Sequence, residues 1–401
     1  MKPIINNILD TDLYKITMGQ AVGQLFPNAM ARYTFINRGK TGFRPGFGQE
    51  LQEQVNAMAR ITATGEQFDW LGVACPYLSS FYVDYLRGYR FNPEEVGITQ
   101  DGTGKLEINV EGPWHRTILW EVPLLALVSE LHFKGETVDK DSDDRDWTKL
   151  NRMDRLKFAD FGTRRRFSRE NQWRVIRRAQ KICPHAFIGS SNVLLSYEIE
   201  KHPVGTMAHE WISFHGAVEG YTRANVAALR NWASVYKGVL GIALTDTYGT
   251  KSFFRDLPAD LARLYDGLRQ DSGDPFQFIE DAFEYYESKR IDPASKTLVF
   301  SDGLDCDRAR IIQERCREKG RQRAGGRELQ CSFGIGTNLT NDVGVKPLNI
   351  VMKMTGCKPN RACEWVPVVK LSDVAGKHTG EPAEVERARQ MVDYEPQAAR
   401  K

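Results

Sequence analysis

The residues with the most chemical potential in this chain stand in short clusters, each closing an apolar run. Arg269-Gln270-Asp271-Ser272-Gly273-Asp274 sets a guanidinium, carboxylates and a hydroxyl together. Such a set suits orientation of a substrate anion by the arginine while the acids hold ribose hydroxyls or Mg2+. Asp274, followed by Pro275, reads as a helix cap. Thr163-Arg164-Arg165-Arg166 follows an apolar run and a glycine, which makes it a candidate anion site for phosphate or carboxylate. Successive side chains diverge, so only one or two of the three arginines are expected to face inward.

His209 lies in Thr206-Met207-Ala208-His209-Glu210-Trp211. An imidazole beside a carboxylate suits a general base or a phosphate acceptor; its bland alternative is a structural histidine packed beside Trp211. Gly334-Ile335-Gly336-Thr337 offers backbone N–H groups that could cradle a phosphate, or simply a tight turn. It is no dinucleotide fingerprint, because Leu339 occupies the third glycine position. Gly39-Lys40-Thr41 is no nucleotide P-loop either, since Thr34 stands where the first glycine belongs. Asp246 and Asp302 close neighbouring runs in the same manner, and paired aspartates around a phosphate suggest Mg2+. No serine sits in GxSxG, which argues against a nucleophile-elbow hydrolase.

These clusters need elements to hold them, and the run spacing names the elements. The first third of the chain reads as mixed α+β. Ala31 to Asn37 is a strand candidate, and Leu106, Ile108 and Val110 alternate with polar residues as in a half-buried strand. A helix is expected around Ser79 to Leu86. From about Asp160, apolar runs starting near Phe158, Phe187, Gly205, Ile242, Leu268, Leu298 and Phe333 alternate with amphipathic segments. Val226, Leu229, Ala233 and Tyr236 keep helical spacing, as do Ile279, Ala282, Phe283 and Tyr286. Seven strand-then-helix units predict a parallel α/β architecture, and a barrel gathers all the polar strand ends at one mouth. An open doubly wound sheet is the other possibility.

Composition bounds the function class. The 401 residues contain 41% apolar and 27% charged side chains, ordinary for a globular chain, with room for more than one domain. Lys plus Arg is 55 against 52 for Asp plus Glu, a net charge of +3, so a nucleic-acid-binding charge excess is not expected. The seven cysteines show no CxxC spacing, which speaks against a zinc site or disulfide framework and for reduced thiols in the cytoplasm. No signal-peptide core precedes Met18, and the most apolar stretch, Val122 to Val128, is too short for a bilayer, so no membrane partner is expected.

A resemblance sharpens this. Leu9-Asp-Thr-Asp-Leu-Tyr-Lys-Ile-Thr-Met18, Trp120-Glu-Val-Pro-Leu-Leu125, Phe161-Gly-Thr-Arg-Arg-Arg-Phe167, Gly205-Thr-Met-Ala-His-Glu-Trp211, Ala243-Leu-Thr-Asp246, Arg269-Gln-Asp-Ser-Gly-Asp274, Phe333-Gly-Ile-Gly-Thr337, Pro347-Leu-Asn-Ile-Val351 and Lys370-Leu-Ser-Asp373 together resemble the nicotinate phosphoribosyltransferase family of type II phosphoribosyltransferases. The resemblance implies an irregular α/β barrel (126–345) with an N-terminal α+β domain (1–125), to which a C-terminal segment (346–401) returns. It implies an enzyme that joins nicotinate to phosphoribosyl pyrophosphate, giving nicotinate mononucleotide and pyrophosphate in a salvage route to NAD. ATP as co-substrate would be coupled through phosphorylation of His209, with Mg2+ as cofactor. Tyr14, Thr206 and Arg269 match nicotinate contacts. Arg164, Asp246, Asp271, Ser272, Gly273, Gly336 and Thr337 match the phosphoribosyl pyrophosphate region, and Asp246 with Asp302 would serve the metal. A homodimer with active sites at the interface is implied as well. Relatives that use nicotinamide, barrel lyases with a Schiff-base lysine, and a binding protein without activity are the competing classes. None of the seven run ends carries such a lysine, and nicotinamide would call for an acid that reads the amide.

Overall fold

Alternation and run length sort the strands into two kinds of sheet. The computed structural model describes residues 3–323 and 327–396. The first sheet holds β1 (Met30–Asn37), β2 (Val96–Gln100) and β3 (Leu106–Pro113). Leu106, Ile108 and Val110 of β3 are buried and the residues between them are exposed, the pattern of a sheet with one wet face. The second sheet is built from β4 (Phe158–Asp160), β5 (Phe187–Ser190), β6 (Ile242–Leu244), β7 (Gly267–Gln270), β8 (Thr297–Phe300) and β9 (Gln330–Ile335). Its strands are short, and every pair of neighbours is parallel, in the order β5-β4-β9-β8-β7-β6. Helices such as Arg169–Ile182 and Pro275–Ser288 separate the strands, as parallel crossovers require. Asp274 caps the second of these by accepting the Phe276 N–H.

After β9 the chain returns to the first sheet. β10 (Ile350–Lys358) pairs antiparallel with β1 over its whole length, from Met30↔Lys358 to Asn37↔Ile350, and β11 (Val366–Pro367) lies outside it. The five-stranded order is β11-β10-β1-β3-β2, so both chain ends build one sheet. The expected mixed α/β architecture with an N-terminal domain joined by C-terminal strands is what the chain forms. The strand candidates at Ala31–Asn37 and Leu106–Val110 are present, and the helix near Ser79 runs Ser80–Gly88 with Ser79 as its cap.

One expected strand is absent. The run at Gly205–His209 is not a strand; the segment before His209 is irregular, and His209 opens the helix His209–Glu219. Pro203 has no N–H to give a ladder, and Gly205 sits at φ +156°, where an L side chain is rarely tolerated. The segment nevertheless bridges the edges of the parallel sheet. Val204 N–H donates to Ser190 O of β5 (2.9 Å), and the Thr206 hydroxyl to Ile242 O of β6 (3.3 Å). Six strands and this bridge make the barrel irregular.

The arginine run splits into different fates. Arg166 is fully buried, forks onto both oxygens of Asp10 (2.7 and 2.8 Å), and gives Nε to Glu130 (2.7 Å). It ties the N-terminal segment to the barrel. Removing one partner of a buried pair strands the other charge, so Arg166→Met is expected to lower unfolding stability by about 3–5 kcal/mol. Arg165→Met, which breaks no ion pair seen among the described residues, serves as control in the same denaturant titration. Equal midpoints for the two variants would remove Arg166 from this role.

Candidate active site

A cavity opens at the barrel mouth where the N-terminal helix Leu13–Leu25, the arginine turn, the His209 helix and β10 converge. Tyr14, Arg164, Thr206, His209, Arg269 and Asp271 all line it. Six residues from four distant stretches of sequence, each expected to contact substrate or accept phosphate, thus share one space within a single chain. No contribution from a second chain is needed to bring Tyr14 to His209.

His209 is the best-defined member. Its Nδ1 lies 3.1 Å from the Thr247 hydroxyl, and its Nε2 lies 2.8 Å from Lys370 Nζ and 3.0 Å from Asp271 Oδ2. Asp271 and Lys370 line the cavity and Thr247 does not, so Nε2 is the nitrogen on the cavity side. With the ring proton on Nδ1, donated to Thr247, the Nε2 lone pair accepts from the lysine. With the proton on Nε2, it is donated to Asp271. Burial, with Lys370 adding to it, pushes the imidazole down to about 4 against the pull of Asp246 and Asp271. The ring is therefore neutral near pH 7 and has a free lone pair for nucleophilic work.

Arg269 reaches the same space from β7. Its Nε donates to Ser301 Oγ (2.9 Å), its NH2 pairs with Asp271 Oδ1 (3.1 Å), and its guanidinium lies 5.7 Å from the Phe161 ring centre. Burial alone would raise the Asp271 carboxyl; Arg269 and His209 together hold it well below the usual range. Arg164 lies 3.5 Å from Glu121 and 6.0 Å from the Tyr14 ring centre. The Tyr14 hydroxyl is buried and has no hydrogen bond among the described residues. A flat, cation-edged, aromatic-walled cavity of this kind suits a planar anionic ring.

Other candidate residues lie behind the cavity or beside it. Asp246 is fully buried behind His209, 3.8 Å from Nε2 and 3.5 Å from Lys370. Its Oδ2 accepts the Ser272 hydroxyl at 2.6 Å, while its Oδ1 has no hydrogen bond among the described residues. Gly273 sits at φ +85° and turns the chain after β7. Gly336 and Thr337 follow β9, where Gly336 caps the short helix Thr337–Thr340 and its O accepts the Leu339 N–H at 2.9 Å and the Thr340 N–H at 3.2 Å. Asp302 pairs with Lys377 at 3.6 Å and does not line the cavity. His215, the other histidine of the same helix, donates from Nδ1 to Trp211 O and accepts the Asn231 amide at Nε2, outside the cavity.

The sequence reading did not name several liners as site residues, among them the charged side chains Asp12, Glu121, Lys353 and Lys370. Asp12 accepts the Ser191 hydroxyl at 2.8 Å. Burial, with Lys370 close by, pushes the Lys353 ammonium down to about 7. Both lysines come from the C-terminal return. They stand far from the barrel runs in sequence, and only the quoted match Lys370-Leu-Ser-Asp373 marked one of them. Among the described residues no helix is long and apolar enough to cross a membrane.

Comparison with known proteins agrees with this arrangement. The profile of the nicotinate phosphoribosyltransferase (NAPRTase) family matches residues 156–395, and that of its N-terminal domain matches residues 9–129. The nicotinate phosphoribosyltransferase of Chromohalobacter salexigens is 46% identical over 97% of this chain and 98% of its own length. That of Desulforapulum autotrophicum is 43% identical over 95% and 97%. The crystal structure of the Porphyromonas gingivalis nicotinate phosphoribosyltransferase superposes with a TM-score of 0.93 at 44% identity, over 98% of this chain and all of that one. With two domains matched in order and relatives alike end to end, the chain belongs to the nicotinate phosphoribosyltransferase family.

Proposed function

We propose that this chain transfers the phosphoribosyl group of phosphoribosyl pyrophosphate to the ring nitrogen of nicotinate; its relatives carry the name nicotinate phosphoribosyltransferase. The observation that carries this is the single cavity shared by Tyr14, Arg164, Thr206, His209 and Arg269. Nicotinate would lie between the Tyr14 and Phe161 rings, with its carboxylate toward the arginines. The ring nitrogen attacks C1 of the ribose, the C1–O bond to pyrophosphate breaks, and nicotinate mononucleotide and pyrophosphate leave. The transition state gathers positive charge on the ribose and negative charge on the departing pyrophosphate, which cationic side chains at the mouth stabilise.

ATP coupling belongs to the same reading. His209 Nε2 attacks the γ-phosphorus, ADP leaves, and the phosphohistidine is later hydrolysed to phosphate. The added charge, about −1.5 to −2, would fall beside Lys370, which already touches Nε2. Asp246 has a carboxylate oxygen without a hydrogen bond among the described residues, and Asp271 lines the cavity, so these two would fit a Mg2+ ion whose shell substrate phosphates and water complete. When bound, the ion would neutralise the leaving phosphates. Asp302, held by Lys377, is the weaker candidate ligand. A homodimer in the cytoplasm, with the cavity mouth at the subunit interface, completes the reading; light scattering at twice the 45.6 kDa chain mass tests the assembly.

The deciding assay offers nicotinate, nicotinamide and quinolinate, each with phosphoribosyl pyrophosphate, with and without ATP. Nicotinate is expected to be the preferred acceptor and ATP to raise its turnover. Leaving a buried arginine without its carboxylate partner costs about 1–3 kcal/mol, or roughly ten- to a hundred-fold against the amide. Equal turnover of nicotinamide would defeat the assignment.

A further inference from the structure

The cavity that receives an acid has four carboxylates in its wall, Asp12, Glu121, Glu210 and Asp271, of which Glu121 and Glu210 share one buried partner. Both would repel a substrate carboxylate and the phosphates that follow it. Behind them stands Lys15, whose side chain is wholly buried. Its Nζ is 2.6 Å from Glu121 Oε2 and also bonds Glu210 Oε2. Glu210 Oε1 accepts Trp114 Nε1–H at 2.7 Å and the Tyr33 hydroxyl, and Glu121 Oε1 faces Arg164 at 3.5 Å. The four charges Arg164, Glu121, Lys15 and Glu210 form one chain that sums to zero. Burial works against the ammonium, yet the two carboxylates outweigh it and hold its pKa above the ordinary lysine value, so the charge is permanent near neutrality.

Lys15 does not itself line the cavity. It follows Tyr14 on the N-terminal helix, and Glu210 follows His209 on another. Among the described residues its ion pairs are with the wall carboxylates Glu121 and Glu210 alone. We infer that Lys15 is a specificity-determining positioning residue, which neutralises the cavity wall so that the cavity prefers an acid over its amide. The inference rests on nicotinate being the acceptor. It adds to that reading a residue that never meets the substrate, and a cause of acid preference separate from the arginines.

The test is the ratio of kcat/KM for nicotinate to that for nicotinamide. Phosphoribosyl pyrophosphate is common to both assays, so general damage to its site cancels in the ratio. Lys15→Met leaves one net negative charge in the wall. At an effective dielectric of about 20, one charge roughly 10 Å from the substrate carboxylate corresponds to roughly a fifteen-fold change in affinity. K15M is expected to lower the acid-to-amide ratio by about that factor, chiefly through the KM of nicotinate. The double variant K15M/E210Q restores the charge balance and is expected to bring the ratio back to within about three-fold of native. Should K15M fail to fold, E210Q alone carries the test. It leaves the wall one charge more positive, so its ratio is expected to hold or rise, and a fall overturns the inference. Equal loss for both acceptors in K15M makes Lys15 a structural pin and overturns it too. A native chain that does not turn over nicotinate overturns the functional reading, and this inference with it.

Discussion

His209→Ala is expected to abolish transfer of phosphate from ATP to the protein and to leave a slow, ATP-independent phosphoribosyl transfer. The label in the native chain should be acid-labile and base-stable, as a phosphorus–nitrogen bond is. Geometry supports the assignment: Nε2 faces the cavity, Nδ1 is occupied by Thr247, and Lys370 stands 2.8 Å from the attacking nitrogen. The basal reaction persists because the arginines that steady the departing pyrophosphate do not depend on the imidazole. The pH dependence gives a sharper check. Burial pushes His209 down to about 4, so labelling is expected to hold from pH 8 to 5 and to fall only as pH approaches 4. An imidazole with an unshifted pKa near 6.5 would already lose labelling at pH 6. His215 is equally depressed, to about 4. A histidine whose folded pKa lies below its unfolded value binds more protons when unfolded, so its contribution to stability is complete above about pH 6.5 and is lost as pH falls toward 4. Labelling must therefore be read beside a melting curve at each pH. An alanine variant labelled to the native level moves the acceptor elsewhere, though His215, bonded to Trp211 O and Asn231, has no path to the cavity.

The barrel and the cavity were legible in the sequence to different depths. Local rules sufficed where the cause is local. Period-two alternation marked β3, Asp274-Pro275 marked a helix start, and polar ends of short apolar runs marked six parallel strands. The same rule failed at Gly205–His209, because a glycine-rich run ending in a polar residue also describes a bridge that never joins a ladder. Arg164, Arg165 and Arg166 are equivalent as letters. Only the fold separates Arg164, which lines the cavity, from Arg166, which is sunk between Asp10 and Glu130. Lys353 and Lys370 were invisible as site residues because the return of β10 to β1 brings them to the mouth, and no spacing rule spans a pairing such as Asn37↔Ile350. Lys15 was hidden for another reason: a lysine in an apolar helix reads as a snorkelling surface residue until its two carboxylates are seen.

Arg269→Ala is expected to cost the largest share of nicotinate turnover, about ten- to a hundred-fold in kcat/KM. A charge-assisted bond between a guanidinium and a buried carboxylate contributes roughly 1.5–3 kcal/mol, and the variant leaves the substrate carboxylate without that partner. The effect should not stop at the acceptor. Arg269 is the cation that pairs with Asp271 at 3.1 Å, and Asp271 in turn lies 3.0 Å from His209 Nε2. Without the arginine, the Asp271 charge acts undiluted on the imidazole and favours its protonated form. The histidine's titration should therefore move upward in R269A, and phosphate labelling should begin to fall at a higher pH than in the native chain. Arg269→Lys separates the two effects. It keeps the charge beside Asp271, so the labelling profile should stay near native, but it loses the fork that matches a carboxylate, so nicotinate turnover should still drop. ATP-dependent labelling remains measurable in all three chains if Arg269 serves the acceptor rather than the nucleotide. If R269A loses labelling at every pH while keeping nicotinate turnover, Arg269 belongs to the ATP step, and the cation that reads the carboxylate is then Arg164, the other arginine of the cavity wall.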